Sequence, residues 1–443
     1  MFSVGYHIDM NDLDSYQIDK KLEPILDEMH QVGVKIDAHY LNDLSQKLGL
    51  KLLKLEEGIY NDIGHKFNVN SPSQLAKILY EELKIKPRDA GIKRKKTHHS
   101  TSATDLAKIS HLHPAIEKIL EYRELNKLKN TYLDPLPKLA DKNSRVHTTY
   151  TVDTSTGRLS SKNPNLQNIP IRTDLGKEIR KAFVAEKGCK LLVADYSQIE
   201  LRIAAHFSED PTMISAFGRG HDIHRTTAEE LGIDRRAAKT VNFGILYGIS
   251  SYGLSENLKI TPDEAQNLID KYFLAYPKLA EYIAKTIKKA EETGFVETLF
   301  GRKREIPELS SPIDRVRKFG ERVAVNSPFQ GTAAEIIKLA MIEINRKSIG
   351  DRLTSIATFN VDRQSTNKHK TNDVTNNDKR TANNESRLIL QVHDELVFEV
   401  PEDEIKQTTE IVRDIMENTV KLKVPIIVDI KTGKNWGELE KIC

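Results

Sequence analysis

The segment QVHDELVFEV, residues 391–400, constrains the fold of this chain more than any other. Two apolar runs typical of buried strands, LILQV and LVFEV, flank His393, Asp394 and Glu395. This arrangement predicts a β-hairpin with the charged residues at its turn. Because carboxylates are costly to bury unless they are paired or bind a metal, the two acids are expected either to face water or to hold a cation.

A second acidic site lies in VADYSQIELR. Asp195 ends the predicted buried strand KLLVADYS, and Glu200 begins the predicted helix IELRIAAHF. Taken alone, Asp195 can be explained equally well as the cap of the following helix, and Asp394 as a turn residue that faces water. Taken together, two aspartates at adjacent strand ends could hold two Mg²⁺ ions, which suit in-line phosphoryl transfer.

The segment RRAAKTVNFGILYG has the periodicity of a helix. Arg235, Lys239, Phe243 and Tyr247 follow one another at four-residue steps, which drift by only ~40° and so share one face. Two cations followed by two aromatic rings suit a nucleotide, with the phosphates at the basic end. A surface helix that buries its aromatic rings in the core explains the pattern equally well.

Composition narrows the class of protein. The chain has 443 residues, 38% hydrophobic and 30% charged, which is typical of a soluble protein with two to four structural units. It contains no apolar run near 18 residues and no signal-peptide pattern, so we expect a cytoplasmic protein with no membrane contact. Two cysteines form neither a disulfide framework nor a metal cluster. The net charge is +3, and the basic clusters are most simply explained as solvated faces of the protein.

Residues 20–140 and 223–345 read as mostly helical, and strand patterns appear from residue 145. In NSPSQLAKIL, Ser71 is the predicted N-cap, Pro72 the first helical residue and Gln74 the partner of a capping box. Residues 357–386 are rich in Asn, Lys and Thr and poor in apolar residues, so they are predicted to be a disordered loop.

Several motifs occur in the order found in family A DNA polymerases, the bacterial polymerase I type: TGRLSSKNPNLQNIPIRT, VADYSQIELR, RRAAKTVNFGILYG, NSPFQGTAAEIIKLAM and QVHDELVFEV. The similarity extends over KLEPILDEM, FNVNSPSQLAKIL, HPAIEKILEYRELNKLKNTY and KTGKNWGEL, and so over roughly residues 20–438. The chain therefore resembles this family over nearly its whole length. Two connections are shorter than usual for the family, one before RRAAK and one before TGRLSS.

The resemblance implies an α+β right-hand fold with a helical thumb, an antiparallel-sheet palm and helical fingers. The implied parts are a lead-in (1–19), the thumb (20–145), a first palm segment (146–206), the fingers (207–320) and a second palm segment (321–443) that carries the 357–386 insertion. Because few residues precede the thumb, we expect neither a proofreading exonuclease nor a 5′-nuclease in this chain.

The implied reaction is templated addition of deoxynucleotides, in which a primer 3′-hydroxyl attacks the α-phosphate and pyrophosphate leaves. Two Mg²⁺ ions are the implied cofactor, held by Asp195, Tyr196 and Asp394, with Glu395 as a supporting acid. Lys239 matches a general acid for pyrophosphate. The partners implied are primer–template DNA and dNTPs, and a monomer is expected.

Other matching positions imply binding roles. Glu200 resembles a steric gate against the ribose 2′-hydroxyl, and Phe243 resembles the form that disfavours nucleotides lacking a 3′-hydroxyl. The nucleotide-binding set implied by the resemblance is Arg235, Lys239, Phe243, Tyr247, His224, Glu200 and Gln198. The DNA-binding set implied by it is Arg158, Asn165, Gln167, Arg322, Asn326, Gln330 and His393.

Two other functions compete with this one. A single-subunit RNA polymerase on a related fold is disfavoured by Glu200 and the DYSQIELR motif. A catalytically silent nucleic-acid-binding protein is disfavoured because Asp195, Asp394, Arg235 and Lys239 are all present. The choice between dNTPs and rNTPs distinguishes the first rival, and any primer extension excludes the second.

Overall fold

The structure is a computed structural model that describes residues 13–86, 92, 98–171, 173–365 and 385–442. For residues 348–365 it describes the backbone only. Most of the predicted loop, residues 366–384, lies outside the described residues, as does the basic cluster 93–96.

The described chain alternates long helical segments with short strands. Its α-helices, numbered in chain order, are α1 Ser15–Val32, α2 Ala38–Ile63, α3 Pro72–Lys77, α4 Ala103–Lys108, α5 Pro114–Leu128, α6 Leu136–Leu139, α7 Asp174–Lys181, α8 Ile199–Ser208, α9 Pro211–Gly218, α10 Ile223–Leu231, α11 Arg235–Leu246, α12 Ser251–Leu258, α13 Pro262–Ala275, α14 Pro277–Thr293, α15 Asp314–Ser365 and α16 Ile405–Asn418. Its strands are β1 Val34–Lys35, β2 Arg145–Val146, β3 Thr149–Thr151, β4 Ser160–Lys162, β5 Cys189–Tyr196, β6 Phe295–Glu297, β7 Lys303–Glu305, β8 Arg387–Val392, β9 Glu395–Pro401, β10 Val428–Asn435 and β11 Glu438–Lys441.

A five-stranded antiparallel sheet with the order β11-β10-β5-β9-β8 forms the centre of the molecule. Its middle strand, β5, pairs with β9 on one side and with β10 on the other. The three paired strands come from distant parts of the sequence, so the sheet joins the two halves of the chain. The α+β class predicted from the sequence is confirmed.

Both faces of the sheet are covered by apolar side chains. Along β5, Leu192 and Ala194 face one buried cluster, whereas Leu191 and Val193 face the other. Helix α16 packs against β5, β9 and β10. A continuous apolar run such as LLVA is what a strand buried on both faces requires, and this burial makes β5 a rigid support for Asp195, which follows the run near the end of the strand.

Local signals set the start of several helices. Ser71 caps α3 by accepting a hydrogen bond from the Gln74 backbone N–H, as predicted. The Gln74 side chain, however, accepts from the Asn68 backbone N–H at 2.9 Å, so the reciprocal half of the predicted capping box is wrong. Asp234 caps α11 through the backbone N–H groups of Arg236 and Ala237.

Helix α15 is 52 residues long and ends at Ser365. Residues 357–365 are therefore helical, and the predicted disordered loop begins too early. Polar composition suggested a loop, but residues 351–365 contain neither proline nor glycine, the residues that most strongly interrupt a helix. Among the described residues, no helix is long and apolar enough to cross a membrane.

Candidate active site

The β8–β9 hairpin places Asp394 at its turn. Val392 pairs with Glu395, which leaves His393 and Asp394 as a two-residue turn. His393 adopts a φ of 54°, in the left-handed region that such turns require. The predicted hairpin is confirmed.

Gln391 holds this turn from the strand side. Its Nε2 donates to the backbone carbonyl of His393. The Tyr150 hydroxyl donates to the Gln391 carbonyl and accepts from its backbone N–H, both at 2.9 Å. The buried Gln167 side chain donates to Gln391 Oε1 at 2.9 Å. These bonds fix the turn, and with it the position of Asp394.

Asp195 lies beside this turn on the central strand. In the sheet register it stands opposite Glu395 of β9 and Asp429 of β10. The next residue, Tyr196, donates its backbone N–H to the Asp394 carbonyl at 3.1 Å. The Tyr196 side chain is buried on the other face, where its hydroxyl donates to the Met416 carbonyl at 2.9 Å. Only the backbone of Tyr196 is therefore available to the acidic side.

The acids of this cluster repel one another. Partial burial together with the charges of Glu395 and Asp394 raises the pKa of Asp195 to about 7. Burial also raises the pKa of Asp394, although the Arg158 guanidinium opposes the rise. At Asp195 the repulsion from Glu395 and Asp394 indicates negative charge that a cation would relieve, whereas at Asp394 burial is the cause of the raised pKa.

Glu395 differs from Asp394 because it has partners of its own. Trp436 Nε1 donates to Glu395 Oε1 at 2.9 Å, and Arg180 Nη1 lies 3.9 Å from the same oxygen. The Arg180 guanidinium stacks over the Trp436 ring, 3.7 Å from its centroid. Burial raises the pKa of Glu395, and Arg180 opposes the rise. Neither Arg180 nor Trp436 was identified from the sequence.

The donor set fits Mg²⁺. Among the described residues, no three His, Cys, Asp or Glu side chains converge to hold a metal by themselves. Mg²⁺ does not need such a cage, because it commonly takes one or two carboxylates and completes its shell with water and substrate phosphates. Asp195 and Asp394 supply hard oxygen ligands, and Asp195 is repelled by neighbouring acids, so the pair suits this mode of binding.

Helix α11 presents the predicted face to solvent. Arg235, Lys239 and Tyr247 are exposed and Phe243 is half-buried. The Phe243 and Tyr247 rings stack with centroids 6.2 Å apart, and Lys239 Nζ lies 5.9 Å from the Phe243 centroid. Tyr247 is exposed, whereas Phe243 packs partly against the main apolar cluster, so the alternative in which the aromatic rings fill the core is excluded for Tyr247 alone.

This face borders a large open cavity. Its volume is about 980 Å³, and its walls include Lys239, Phe243, Tyr247 and Arg322. The volume lies within the range of small-molecule sites. Cations and aromatic rings line it together, a combination that suits a nucleotide.

Glu200 connects α11 with the acidic cluster. Its carboxylate is buried, accepts from the Tyr247 hydroxyl at 2.9 Å and pairs with Arg158 Nη2 at 2.6 Å. Burial raises the pKa of Glu200, with a further contribution from the charge of Asp394. Gln198 lies three residues after Asp195 and directly precedes α8, with a φ of 56°. Its side chain is half-buried.

His224 lies on α10, and Arg235 pairs with Asp222, the residue that caps α10. His224 is buried, and its ring lies against Phe243 with centroids 5.7 Å apart. Arg235 Nε pairs with Asp222 Oδ2 at 2.6 Å. The histidine therefore lies behind the exposed face of α11, and Arg235 must exchange Asp222 for any phosphate that it binds.

The remaining predicted residues lie on two elements. Arg322, Asn326 and Gln330 recur at four-residue steps on α15, so they follow one side of that helix. The buried Asn326 Oδ1 has no hydrogen-bond partner among the described residues. Asn165 Oδ1 accepts from the Gln167 backbone N–H at 3.0 Å. Gln167, which is predicted to contact DNA, uses its buried amide to hold Gln391.

The chain is similar to several known proteins. A sequence model of DNA polymerase family A matches residues 38–438. "DNA polymerase I, thermostable" of Thermus thermophilus is 42% identical over 95% of this chain and 48% of the relative. "DNA polymerase I" of Caldicellulosiruptor bescii is 45% identical over 96% of this chain and 48% of the relative. The chain thus spans about half the length of the curated relatives it matches.

A solved structure is similar as well. The polymerase domain of Pol1 from M. smegmatis, in complex with DNA primer–template and dNTP, superposes with a TM-score of 0.82 at 35% sequence identity. The match covers 94% of this chain and 70% of that chain. The polymerase fold inferred from the motifs is confirmed.

Proposed function

This chain belongs to DNA polymerase family A, and from that membership we propose that it extends a DNA primer with deoxynucleotides under the direction of a template. The main support for the proposal is the hydrogen bond from the Tyr196 backbone N–H to the Asp394 carbonyl, which links the strand of Asp195 to the turn of Asp394. The Glu200–Tyr247 bond then joins this acidic pair to the cation-bearing helix α11. Metal-binding carboxylates and phosphate-binding cations thereby belong to one site.

Asp195 and Asp394 would hold two Mg²⁺ ions, with the Tyr196 carbonyl as a further oxygen donor. When bound, the ions would lower the pKa of the primer 3′-hydroxyl and neutralise charge on the triphosphate. Glu395 is held by Trp436 and Arg180, so it supports the cluster's geometry and charge. The adjacent carboxylates of Asp394 and Glu395 would therefore serve different purposes.

Residues of α11 would handle the leaving group. The primer 3′-hydroxyl would lose its proton to water, and its oxygen would form a bond to the α-phosphorus while the bond to the α,β-bridging oxygen breaks and pyrophosphate departs. Lys239 would donate a proton to that departing oxygen, and Arg235 would neutralise the triphosphate after leaving Asp222. The stacked Phe243 and Tyr247 rings would pack against the nucleotide.

Selection of the sugar would depend on Glu200. Its buried side chain is fixed by Arg158 and Tyr247, so it cannot easily withdraw from a ribose 2′-hydroxyl. On the DNA side, polar donors along α15 would contact minor-groove acceptors, which every correct base pair presents. Such contacts test the shape of a base pair without reading its sequence.

Extension of a labelled primer on a template tests this function. With Mg²⁺ and all four dNTPs the primer should lengthen to the end of the template, whereas rNTPs should be incorporated poorly. Omission of Mg²⁺ with a chelator present should stop extension. Failure to extend under any of these conditions, with primer–template binding confirmed, would contradict the proposal, and a preference for rNTPs would favour an RNA polymerase.

A further inference from the structure

The buried side of α11 carries a polar side chain, Asn242, which is 0% exposed. Its neighbours on this side of the helix are apolar, including Val241 and Ile245. A buried amide destabilises the fold unless its donors and acceptor are paired. The partners of Asn242 therefore indicate why the residue is polar.

Asn242 is the centre of a buried hydrogen-bond network. Its Nδ2 donates to His224 Nδ1 and to Thr227 Oγ1, both at 3.0 Å. Its Oδ1 accepts from the Tyr272 hydroxyl at 3.1 Å. The Thr227 hydroxyl donates to the Ile223 carbonyl at 2.8 Å.

The hydroxyl protons can be placed so that each hydrogen bond of this network has one donor and one acceptor. Thr227 Oγ1 also lies 3.2 Å from Asn242 Oδ1, but its one proton goes to the closer Ile223 carbonyl at 2.8 Å. Its oxygen then accepts from Asn242 Nδ2 and from the Tyr276 hydroxyl, which lies 2.8 Å away. Burial raises the pKa of Tyr272 well above its usual range, so this hydroxyl remains a donor. With Oδ1 receiving the Tyr272 proton, the amide nitrogen of Asn242 faces His224.

We propose that Asn242 is a positioning residue that holds His224 as the neutral tautomer with its proton on Nε2, so that Nε2–H is offered to a phosphate oxygen of the incoming nucleotide. This proposal rests on the proposed function for its ligand, but the tautomer itself does not depend on activity. Because Nδ1 accepts from Asn242, a neutral His224 must carry its proton on Nε2. Among the described residues, no acceptor is hydrogen-bonded to Nε2.

The surroundings of His224 favour the neutral ring. Burial lowers the pKa of His224 to about 4, with the charges of Lys239 and Arg235 acting in the same direction and Asp222 acting against them. A neutral His224 ring needs no counterion when no nucleotide is bound. The positive charge that attracts a phosphate is supplied by Lys239 and Arg235. The Asn242 bond also joins α10 to α11, so His224 is carried with the cationic face of α11.

Histidine-selective isotope labelling and NMR test the tautomer directly in the full chain. The signal of His224 is assigned by its loss in His224→Gln. The proposal predicts a protonated Nε2 and an unprotonated Nδ1 at neutral pH. In Asn242→Asp, a carboxylate replaces the donor, so Nδ1 should become protonated.

Tyr272→Phe is the matched control, since it removes a hydrogen bond to Asn242 but leaves the Asn242–His224 bond in place. This variant should keep the original tautomer. Thermal melting monitored by circular dichroism checks that each variant is folded. A protonated Nδ1 in the unsubstituted chain, which requires no variant, would overturn the proposal.

Kinetics give the second readout. Asn242→Asp should raise KM for dNTPs on the order of tenfold, the effect expected from losing one hydrogen bond to a charged group, while primer–template affinity stays unchanged. Tyr272→Phe should alter KM much less. Equal effects of both variants on KM would overturn the positioning role, whereas absence of activity in the unsubstituted chain would contradict the proposed function and leave the NMR result to decide the tautomer.

Discussion

Lys239 is exposed on α11 and borders the cavity, where an ammonium group can act as a charge or as an acid. If Lys239 protonates the leaving pyrophosphate, Lys239→Ala should lower the rate of the chemical step by roughly 10²-fold or more. Rapid-quench measurement of single-nucleotide addition reports this step.

Lys239→Arg separates the two roles, because arginine keeps the positive charge but does not release its proton readily. Affinity for the dNTP should be largely retained, whereas the chemical rate should remain low. An arginine variant that reacts at the original rate would show that charge alone is needed.

Glu200 provides a test of sugar selection. Glu200→Ala removes the buried carboxylate, so incorporation of rNTPs relative to dNTPs should rise by roughly tenfold or more, as for loss of a steric exclusion. Tyr247→Phe is the control, since it deletes the 2.9 Å bond to Glu200 but leaves the carboxylate. An unchanged rNTP/dNTP ratio in Glu200→Ala would rule out the gate.

Sequence patterns could identify side chains with their own local signature, but not those whose role comes from distant partners. Asp195 and Asp394 end recognisable strand segments, and the four-residue steps on α11 were visible in RRAAKTVNFGILYG. Arg180 and Trp436 were missed because they reach Glu395 from segments far away in the sequence. Gln167 matched a DNA-contacting position, but only the fold reveals that its amide is buried against Gln391.

At the level of elements, the β8–β9 hairpin is supported by the end of β10. Trp436→Phe keeps an aromatic ring beside Arg180 but removes the N–H that serves the buried Glu395 carboxylate. The free energy of unfolding should fall by about 1–3 kcal/mol, the cost of leaving a buried group without its partner. Urea denaturation followed by circular dichroism measures it, since the chain has 1 tryptophan and the variant has none.

A fully exposed position provides the comparison for Trp436→Phe. Leu274 is 80% exposed, and Leu274→Ala should change the unfolding free energy by less than about 0.5 kcal/mol. If both variants were equally stable, the bond between Trp436 and Glu395 would not contribute to holding the hairpin.

Helices and strands with a clear period of apolar residues were predicted from the sequence, but contacts with distant parts of the chain set some of their boundaries. The strand β5 and the helices α8 and α11 agree with the apolar patterns of their sequences. The strand β1 was not predicted, because Val34–Lys35 continues the helical pattern of α1 and becomes a strand only by pairing with β2. The end of α15 was misplaced because polar composition does not by itself stop a helix.

At the scale of the whole molecule, a buried group of charges joins α1 to α15. Lys338, which is 1% exposed, pairs with Asp19 at 2.7 Å, and Arg302 bridges Asp19 at 2.8 Å and Glu335 at 3.1 Å. Lys338→Met removes one charge and leaves Asp19 with Arg302 as its remaining partner. The free energy of unfolding should fall by about 1–3 kcal/mol, the cost of losing one hydrogen bond to a charged group.

A double-mutant cycle distinguishes this pairing from a simple packing defect. Combining Lys338→Met with Asp19→Asn should recover part of the loss, because the two residues interact directly. Additive losses measured by denaturant unfolding would show that the charges are not coupled.

The arrangement of the sheet could not be worked out from local patterns. Its order, β11-β10-β5-β9-β8, places the second half of the chain on both sides of β5, and no short-range signal specifies such pairing. The correct fold was inferred only because several motifs occur in an order typical of one family. This long-range pairing is also what brings Asp195 beside Asp394.

The central claim is that Asp195 and Asp394 together carry the chemistry, and primer extension by charge-neutral variants tests it most directly. Asp195→Asn and Asp394→Asn should each lower extension by roughly 10³-fold, since metal stabilisation is worth several kcal/mol, while fluorescence anisotropy shows unchanged primer–template binding. Asp429→Asn, which changes the acid on the other side of Asp195 and is paired with Lys441, should extend normally. Near-normal extension by both Asp195→Asn and Asp394→Asn would contradict the account.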